Sequence, residues 1–230
     1  MHYCLVLTPA EKIMHRTFIL SISLILFAFS IASHAGDAEA AELQGYGAFS
    51  QLNKDWMLLA LYSDAVEDAS QTPTPQRLEI KIVTEKFSQR RFRQLWLDAL
   101  VVEHGPEKMD SIQTEMTEFF NILQGPLKQG DALVISRSEI EGLPITDVTL
   151  NYHNLAQLSE SFLDTLVQSL VGKHPPTQAL KTGLMGHQKL RDQTNIAIRF
   201  GRLEPTLPRI AEISRWSRRA LARNERIAIN

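Results

Sequence analysis

The sequence predicts an α+β protein in which helices cover a largely antiparallel sheet. Two observations carry this prediction: strand-like and helix-like segments occur in groups rather than in regular alternation, and two strand-like segments of the second half flank a hairpin turn. About 195 residues follow an N-terminal export segment, which is enough to bury one core without disulfides or metals. One domain followed by a tail fits this length best.

The first 35 residues have the organisation of a secretory signal. Met14-His15-Arg16 precedes an uncharged apolar run from Thr17 to Ala32, and Ser33-His34-Ala35 supplies a small-x-small cleavage site. The run is shorter than the roughly 20 residues that a membrane-spanning helix needs. We therefore expect cleavage after Ala35 and a periplasmic protein. An uncleaved signal that anchors the protein in the inner membrane is the alternative.

Two strands and two helices are predicted in the first half of the mature chain. The apolar run from Trp56 to Tyr62 indicates one strand, and residues 78–82 alternate between apolar and charged side chains as in a second strand. Ser88 is a suitable N-cap for an amphipathic helix, and Asp110 for another that Gly125-Pro126 ends. The first helix has its apolar residues at helical spacing: Phe92, Leu95, Trp96, Ala99 and Leu100.

The second half is predicted to contain a hairpin and two further helices. Strands at Ala132–Arg137 and Ile145–Asn151 flank the turn residues 141–144. A long helix then ends at Gly172, before Pro175-Pro176, and a short helix covers Thr177–Met185. The long helix is predicted from one apolar stripe: Leu155, Leu158, Phe162, Leu166 and Leu170.

Charge is distributed unevenly along the chain. Residues 36–186 contain 12 Lys and Arg against 21 Asp and Glu, whereas residues 187–230 contain 10 against 4. An acidic body with a basic tail does not fit a nucleic-acid-binding domain, whose positive charge lies on the folded surface. In the tail, residues 210–221 could form an amphipathic helix surrounded by arginines, which makes a membrane surface a possible partner. A docking helix or a disordered tail is the alternative.

The residue pattern contains no recognisable metal, nucleotide or hydrolase site. Cys4 lies in the signal, and His104, His153, His174 and His187 lack metal-ligand spacing, so we expect no metal and no cofactor. Gly45-x-Gly47 lacks the remainder of a phosphate loop. The basic cluster Arg90, Arg91 and Arg93 could contact an anion or simply be a solvated helix face.

Several segments resemble the chalcone isomerase-like family in their order along the chain, from about Asp55 to Gly186. The resemblance implies an open-faced β-sandwich in which a layer of helices lies on a large antiparallel sheet, with a ligand cleft between them. It therefore assigns residues 36–186 to this domain and leaves 187–230 as a basic, partly helical extension. The matching segments are Trp56–Tyr62, Leu78–Ile82 with the helix through Trp96, Gln129-Gly130-Asp131, Leu166–Gly172 and Leu180–Gly186.

The same resemblance implies a cleft without the isomerases' catalytic side chains. Met57 stands where the family has a threonine, Phe87 where it has a tyrosine, and Gln94 where it has an asparagine. Only Ser169 keeps a hydroxyl. The position that corresponds to the family's catalytic arginine falls near Gly45 or Tyr46, and neither residue supplies a cation. Loss of one oxyanion donor lowers the rate by roughly two or three powers of ten. Because several of these donors are absent, we expect no isomerase activity.

These observations lead to one functional hypothesis and two alternatives. The hypothesis is an exported, non-catalytic chalcone isomerase-fold protein that binds a small apolar or lipid-like ligand near Met57, Phe87, Gln94 and Ser169. With the family's arginine absent, Lys54 is the nearest cation. One alternative is an isomerase or lyase that uses Ser169 and Gln94. The other is a periplasmic or membrane-surface interaction protein that acts through its basic tail.

Overall fold

Six strands form one antiparallel sheet, and two short strands pair with each other. A computed structural model describes residues 41–65 and 73–228, so the proposed signal at 1–35 lies outside the described residues. The predicted α+β class with a large antiparallel sheet is confirmed. The strands are β1 (Glu42–Gln51), β2 (Lys54–Ser63), β3 (Pro75–Ile82), β4 (Lys86–Phe87), β5 (Leu127–Lys128), β6 (Ala132–Ile140), β7 (Leu143–Leu150) and β8 (His153–Ser159). The order in the large sheet is β1-β2-β3-β6-β7-β8, and β4 pairs with β5.

One face of the sheet, the core face, carries the main hydrophobic core. Side chains alternate along a strand, so Leu78, Ile80 and Ile82 of β3 all point to this face and are buried. They pack with apolar residues of the neighbouring strands and of the helices above them. Burial of this face is the main favourable term that holds the helical layer to the sheet.

The described residues also form six helices. Four follow or interrupt the strands, and two lie in the basic extension beyond residue 186. No helix of the described segments combines the length and the apolar character needed to cross a membrane. The helices are α1 (Gln89–Ser111), α2 (Gln113–Asn121), α3 (Ser161–Val171), α4 (Gln178–Leu184), α5 (Leu190–Arg202) and α6 (Leu207–Ala228).

Helix α1 begins as predicted but continues further than expected. The Ser88 side chain accepts a hydrogen bond from the Arg91 N–H, which confirms the N-cap. Gly105, with φ of 76°, kinks the helix before Pro106, and the chain resumes helical geometry as far as Ser111. The prediction that Asp110 caps the next helix is therefore wrong: Asp110 lies in the last turn of α1, and Ile112 precedes α2.

The first part of the predicted third helix is a strand, β8, so that prediction is partly wrong. Leu155 and Leu158 lie on β8, and only the later part of the predicted stripe is helical, in α3. A register shift in the pairing with β7 lets the adjacent residues Leu155 and Ala156 both be buried. This register shift is a β-bulge, which breaks the strict alternation of buried and exposed residues along β8. As a result, the spacing of the apolar residues from 155 to 170 resembles that of one continuous helix.

The two helices of the basic extension, α5 and α6, pack against the rest of the fold. Ile196 and Phe200 of α5 cover Leu58 and Ala60 on the second face of the sheet, opposite the core face. Ile213 and Trp216 of α6 instead join the main core, where both are buried. The described residues, 41–65 and 73–228, accordingly belong to one compact unit.

Candidate ligand-binding site

A cavity of about 490 Å³ lies where the first half of α1, the β1–β2 hairpin and the segment after α3 meet. Its size falls within the range of roughly 300–1,000 Å³ that is typical of small-molecule sites. Six side chains from α1 line it on one side. The lining residues are Phe49, Gln51, Trp56, Phe87, Arg91, Gln94, Leu95, Asp98, Ala99, Val102, His174, Pro175 and Pro176.

The apolar wall of the cavity is built by three aromatic residues from different strands. Phe49 comes from β1, Trp56 from β2 and Phe87 from β4. The Trp56 and Phe87 rings meet edge to face, with centroids 5.6 Å apart. Pairing of Phe87 with Leu127 in the short β4–β5 ladder fixes the ring's position. This wall can accept an apolar ligand but offers it few hydrogen bonds.

The polar side of the cavity lies on one face of α1. Arg91, Gln94 and Asp98 are three and seven residues apart along the helix and therefore share a face. The Gln94 amide donates to the Asp98 carboxylate at 2.6 Å. The Arg91 guanidinium carbon lies 4.7 Å from the centre of the Trp56 ring, which is a cation–π distance. All three polar side chains are exposed at the mouth.

The remaining side of the cavity is a short segment between α3 and α4, residues 172–176, which we call the strap. His174, Pro175 and Pro176 of the strap line the cavity. The buried carboxylate of Glu103 on α1 accepts hydrogen bonds from the Lys173 and His174 N–H groups. The strap is thus tied directly to the helix that supplies the polar side of the cavity.

The structure brings only two of the four sequence-predicted site residues to the cavity. Phe87 and Gln94 line it. Met57 is 2% exposed within the core, and Ser169 is fully buried with its hydroxyl donating to the Leu166 carbonyl at 2.7 Å. Neither is among the lining residues. Lys54, considered as a substitute cation, is likewise outside the lining.

Arg91 contributes a guanidinium group to the cavity wall. One pattern in the sequence indicated a possible role for this residue. It belongs to the Arg90, Arg91 and Arg93 cluster, for which anion contact was one of two interpretations. Phe49 and His174 gave no such signal, because the strand and the strap that carry them are recognised only in the fold.

The position implied for the family's arginine is occupied by packing between elements. A side chain at Gly45 would collide with the Gly183 carbonyl of α4, and one at Gly47 with the side chain of Leu180. Tyr46, between them, packs its ring against Phe200 at 5.3 Å. The two glycines therefore allow close approach of α4 to β1, which explains the Gly45-x-Gly47 pattern without a nucleotide.

Candidate metal ligands remain apart in the fold. Among the described residues, no three His, Cys, Asp or Glu side chains come together in a way that could hold a metal ion. His104 instead hydrogen-bonds through Nε2 to the Thr165 carbonyl at 2.9 Å, which ties α1 to α3. His174 lies with its Nδ1 at 3.6 Å from Glu103.

The antiparallel sheet, the helical layer on its core face and the cavity beside α1 define the chalcone isomerase-like class of fold. The chain belongs to the chalcone isomerase-like family, which it matches over residues 33–186. This confirms the resemblance inferred from the order of its segments. A solved fatty-acid binding protein of Arabidopsis thaliana is 12% identical, with a TM-score of 0.46, over 70% of this chain and 91% of that chain. None of the curated proteins matches the sequence.

Proposed function

We propose that this protein binds a small apolar or lipid-like ligand in the cavity beside α1 and does not catalyse a reaction on it. The observation that carries the proposal is the composition of the cavity. Aromatic and aliphatic side chains form most of its wall, its charged groups Arg91 and Asp98 lie on α1, and the imidazole of His174 lies on the strap. An apolar body between the aromatic rings, with any polar end near Arg91 and His174, fits this distribution.

Three positions argue against isomerase chemistry. Met57 and Phe87 have no hydroxyl group, and both are almost fully buried in the core. The hydroxyl of Ser169 is turned to the Leu166 carbonyl within α3. Stabilising a developing enolate requires donors aimed at the reacting oxygen, and these residues supply none at the cavity. A non-catalytic binding role is therefore the better-supported proposal.

We further propose that the protein acts in the periplasm after cleavage following Ala35. The basis is the sequence pattern of residues 14–35. N-terminal sequencing of the protein recovered from a periplasmic extract should begin at Gly36. A full-length N-terminus in the membrane fraction would instead support the anchored alternative.

A membrane role for the extension has weaker support than ligand binding. Ile213 and Trp216, which the amphipathic helix would use to enter a bilayer, are buried in the core. Arg215, Arg218 and Arg219 remain exposed, but charge without an apolar face gives weak attachment to a membrane surface. We therefore place the functional site in the cavity.

Native extraction followed by mass spectrometry tests the binding proposal. Ala99 is a buried residue of the cavity wall, so Ala99→Phe fills the cavity. Val101→Phe, at an exposed position on the same helix, is the matched control. A stoichiometric apolar compound should accompany the wild-type and Val101→Phe proteins and be absent from Ala99→Phe. An empty wild-type extract, or equal recovery from all three, would count against the proposal.

A further inference from the structure

The strap closes one side of the cavity, and its backbone forms few hydrogen bonds with the rest of the fold. Its first residue, Gly172, ends α3 and donates to the Gln168 carbonyl at 2.7 Å. Pro175 and Pro176 have no N–H group. Lys173 and His174 are therefore the remaining backbone donors of the strap, and both donate to Glu103. One side chain of α1 holds the part of the strap that faces the cavity.

The Glu103 carboxylate is suited to this role by its burial and its hydrogen bonds. Its side chain is 6% exposed, and its oxygens accept from Lys173 N at 2.9 Å and from His174 N at 2.6 Å. Burial alone raises the pKa of this group, but the two backbone donors, with His174 and His104 nearby, hold the pKa below its usual value. The group is thus a carboxylate at neutral pH, and its hydrogen bonds are charge-assisted.

The same contact depends on the absence of a side chain at Gly172. A Cβ at this position would overlap the Glu103 carboxylate. The same Cβ would also overlap the Gln168 carbonyl at the end of α3, so neither neighbour leaves room for a side chain at Gly172. On its other side, the Gly172 carbonyl accepts from Lys181 Nζ at 2.7 Å, which fixes the start of the strap to α4.

We propose that Glu103 is a positioning residue that pins the strap over the cavity and so sets the rate at which a ligand enters and leaves. Glu103 is absent from the cavity wall, whereas its neighbour Val102 and the strap residue His174 are part of it. Releasing the strap opens a side of the cavity without altering the aromatic wall. This inference rests on the proposed ligand-binding function.

Two variants break the contact from opposite sides. Glu103→Gln removes the charge and leaves one strap N–H facing an amide NH₂ group. Gly172→Ala puts a methyl group where the carboxylate lies. Glu107→Gln, an exposed glutamate further along α1, is the matched control. Amide hydrogen exchange measured by NMR reports the strap directly, and stopped-flow fluorescence of anilinonaphthalene sulfonate reports exchange at the cavity.

In both variants, the Lys173 and His174 amides should exchange about tenfold faster or more, since charge-assisted hydrogen bonds are lost. Dissociation of the fluorescent probe should accelerate by a similar factor, with Glu107→Gln unchanged. Unchanged amide exchange, or faster amide exchange with an unchanged probe dissociation rate, overturns the inference. Probe binding that is absent, or that Ala99→Phe does not reduce, counts against the cavity as the binding site and hence against the proposed function itself.

Discussion

At the scale of single residues, the pair formed by Asp131 and Arg209 joins the body to the extension. Asp131 is fully buried, and Arg209 is 4% exposed. The carboxylate accepts from Arg209 Nη2 at 2.7 Å, from Asn151 Nδ2 at 2.7 Å and from the Lys128 N–H at 2.8 Å. Arg209 also donates to the Pro126 carbonyl. This geometry satisfies most of the hydrogen-bonding capacity of both charged groups.

Breaking this pair from one side should be strongly destabilising. Arg209→Met leaves a buried carboxylate without its cation, so we expect the free energy of unfolding to fall by about 3–5 kcal/mol. Adding Asp131→Asn should recover part of the loss, because the buried charge is then removed. Urea unfolding measures both values. Arg215→Met, at an exposed position of the same helix, should change stability by less than about 0.5 kcal/mol. Equal effects of the two arginine variants would contradict the assignment.

Glu103 should also make the stability of the strap contact depend on pH. Its folded-state pKa is lowered, so its contribution is present above the unfolded pKa and is lost as the pH falls through the folded pKa. The unfolding free energies of wild type and Glu103→Gln should therefore differ at about pH 5 and begin to converge as the pH falls below the ordinary glutamate value of about 4.3.

Chemical unfolding at several pH values checks this behaviour. The matched comparison is Glu107→Gln, for which we expect a difference from wild type near zero at every pH, because the residue is exposed. A difference between wild type and Glu103→Gln that stays constant from about pH 6 to about pH 3 would show that the Glu103 charge does not stabilise the strap.

At the scale of elements, the contact between β1 and α4 depends on glycine. Gly45 lies against the Gly183 carbonyl and the Gly186 N–H group. Gly45→Ala should push α4 away and lower the free energy of unfolding by about 1–3 kcal/mol, as other overpacking substitutions do. Gly201→Ala in α5, where a Cβ meets no atom within 4 Å, should instead leave stability unchanged or raise it by up to about 1 kcal/mol. Thermal unfolding distinguishes the two, and similar shifts would disprove close packing at Gly45.

The elements that the sequence predicted well are those with a strong periodic pattern. Strand β3 alternates cleanly, and α1 combines an N-cap at Ser88 with a regular apolar face. Strand β1 was not predicted, because two of its core-facing positions are Gly45 and Gly47 and glycine weakens a strand pattern. Helix α5 was also missed, since it buries only Ile196 and Phe200 in an otherwise polar segment.

Of the residues predicted for the site from the family resemblance, Phe87 and Gln94 line the cavity. Both lie near the start of α1, Gln94 on the helix and Phe87 on β4 just before it, where the sequence had placed Phe87 at the start of the helix. Ser169 kept the right residue type but faces the interior of the fold. His174 and Phe49 come from the strap and from β1, and the sequence gives no information on how such distant segments meet.

At the scale of the whole molecule, some of the opposite charges of the body (residues 36–186) and the tail (residues 187–230) form ion pairs with each other. The net charge of the body is −9 and that of residues 187–230 is +6. Arg199 of the extension pairs with Asp55 at 2.6 Å, and Arg209 pairs with Asp131. These contacts complement the apolar packing of α5 and α6. A basic tail in the sequence thus contributes structural arginines as well as exposed ones.

The extension should consequently be required for the stability of the family-matched segment, although the family match ends at residue 186. In a chain that ends at Gly186, Leu58 and Ala60 lose the cover of α5, and Asp131 loses its buried cation. Ile213 and Trp216 are also removed from the main core. We expect this shorter chain to lose its cooperative thermal transition or to melt far below the full chain. Near-UV circular dichroism and thermal melts of both, each starting at Gly36, measure this. Equal melting temperatures would show that residues 36–186 fold independently.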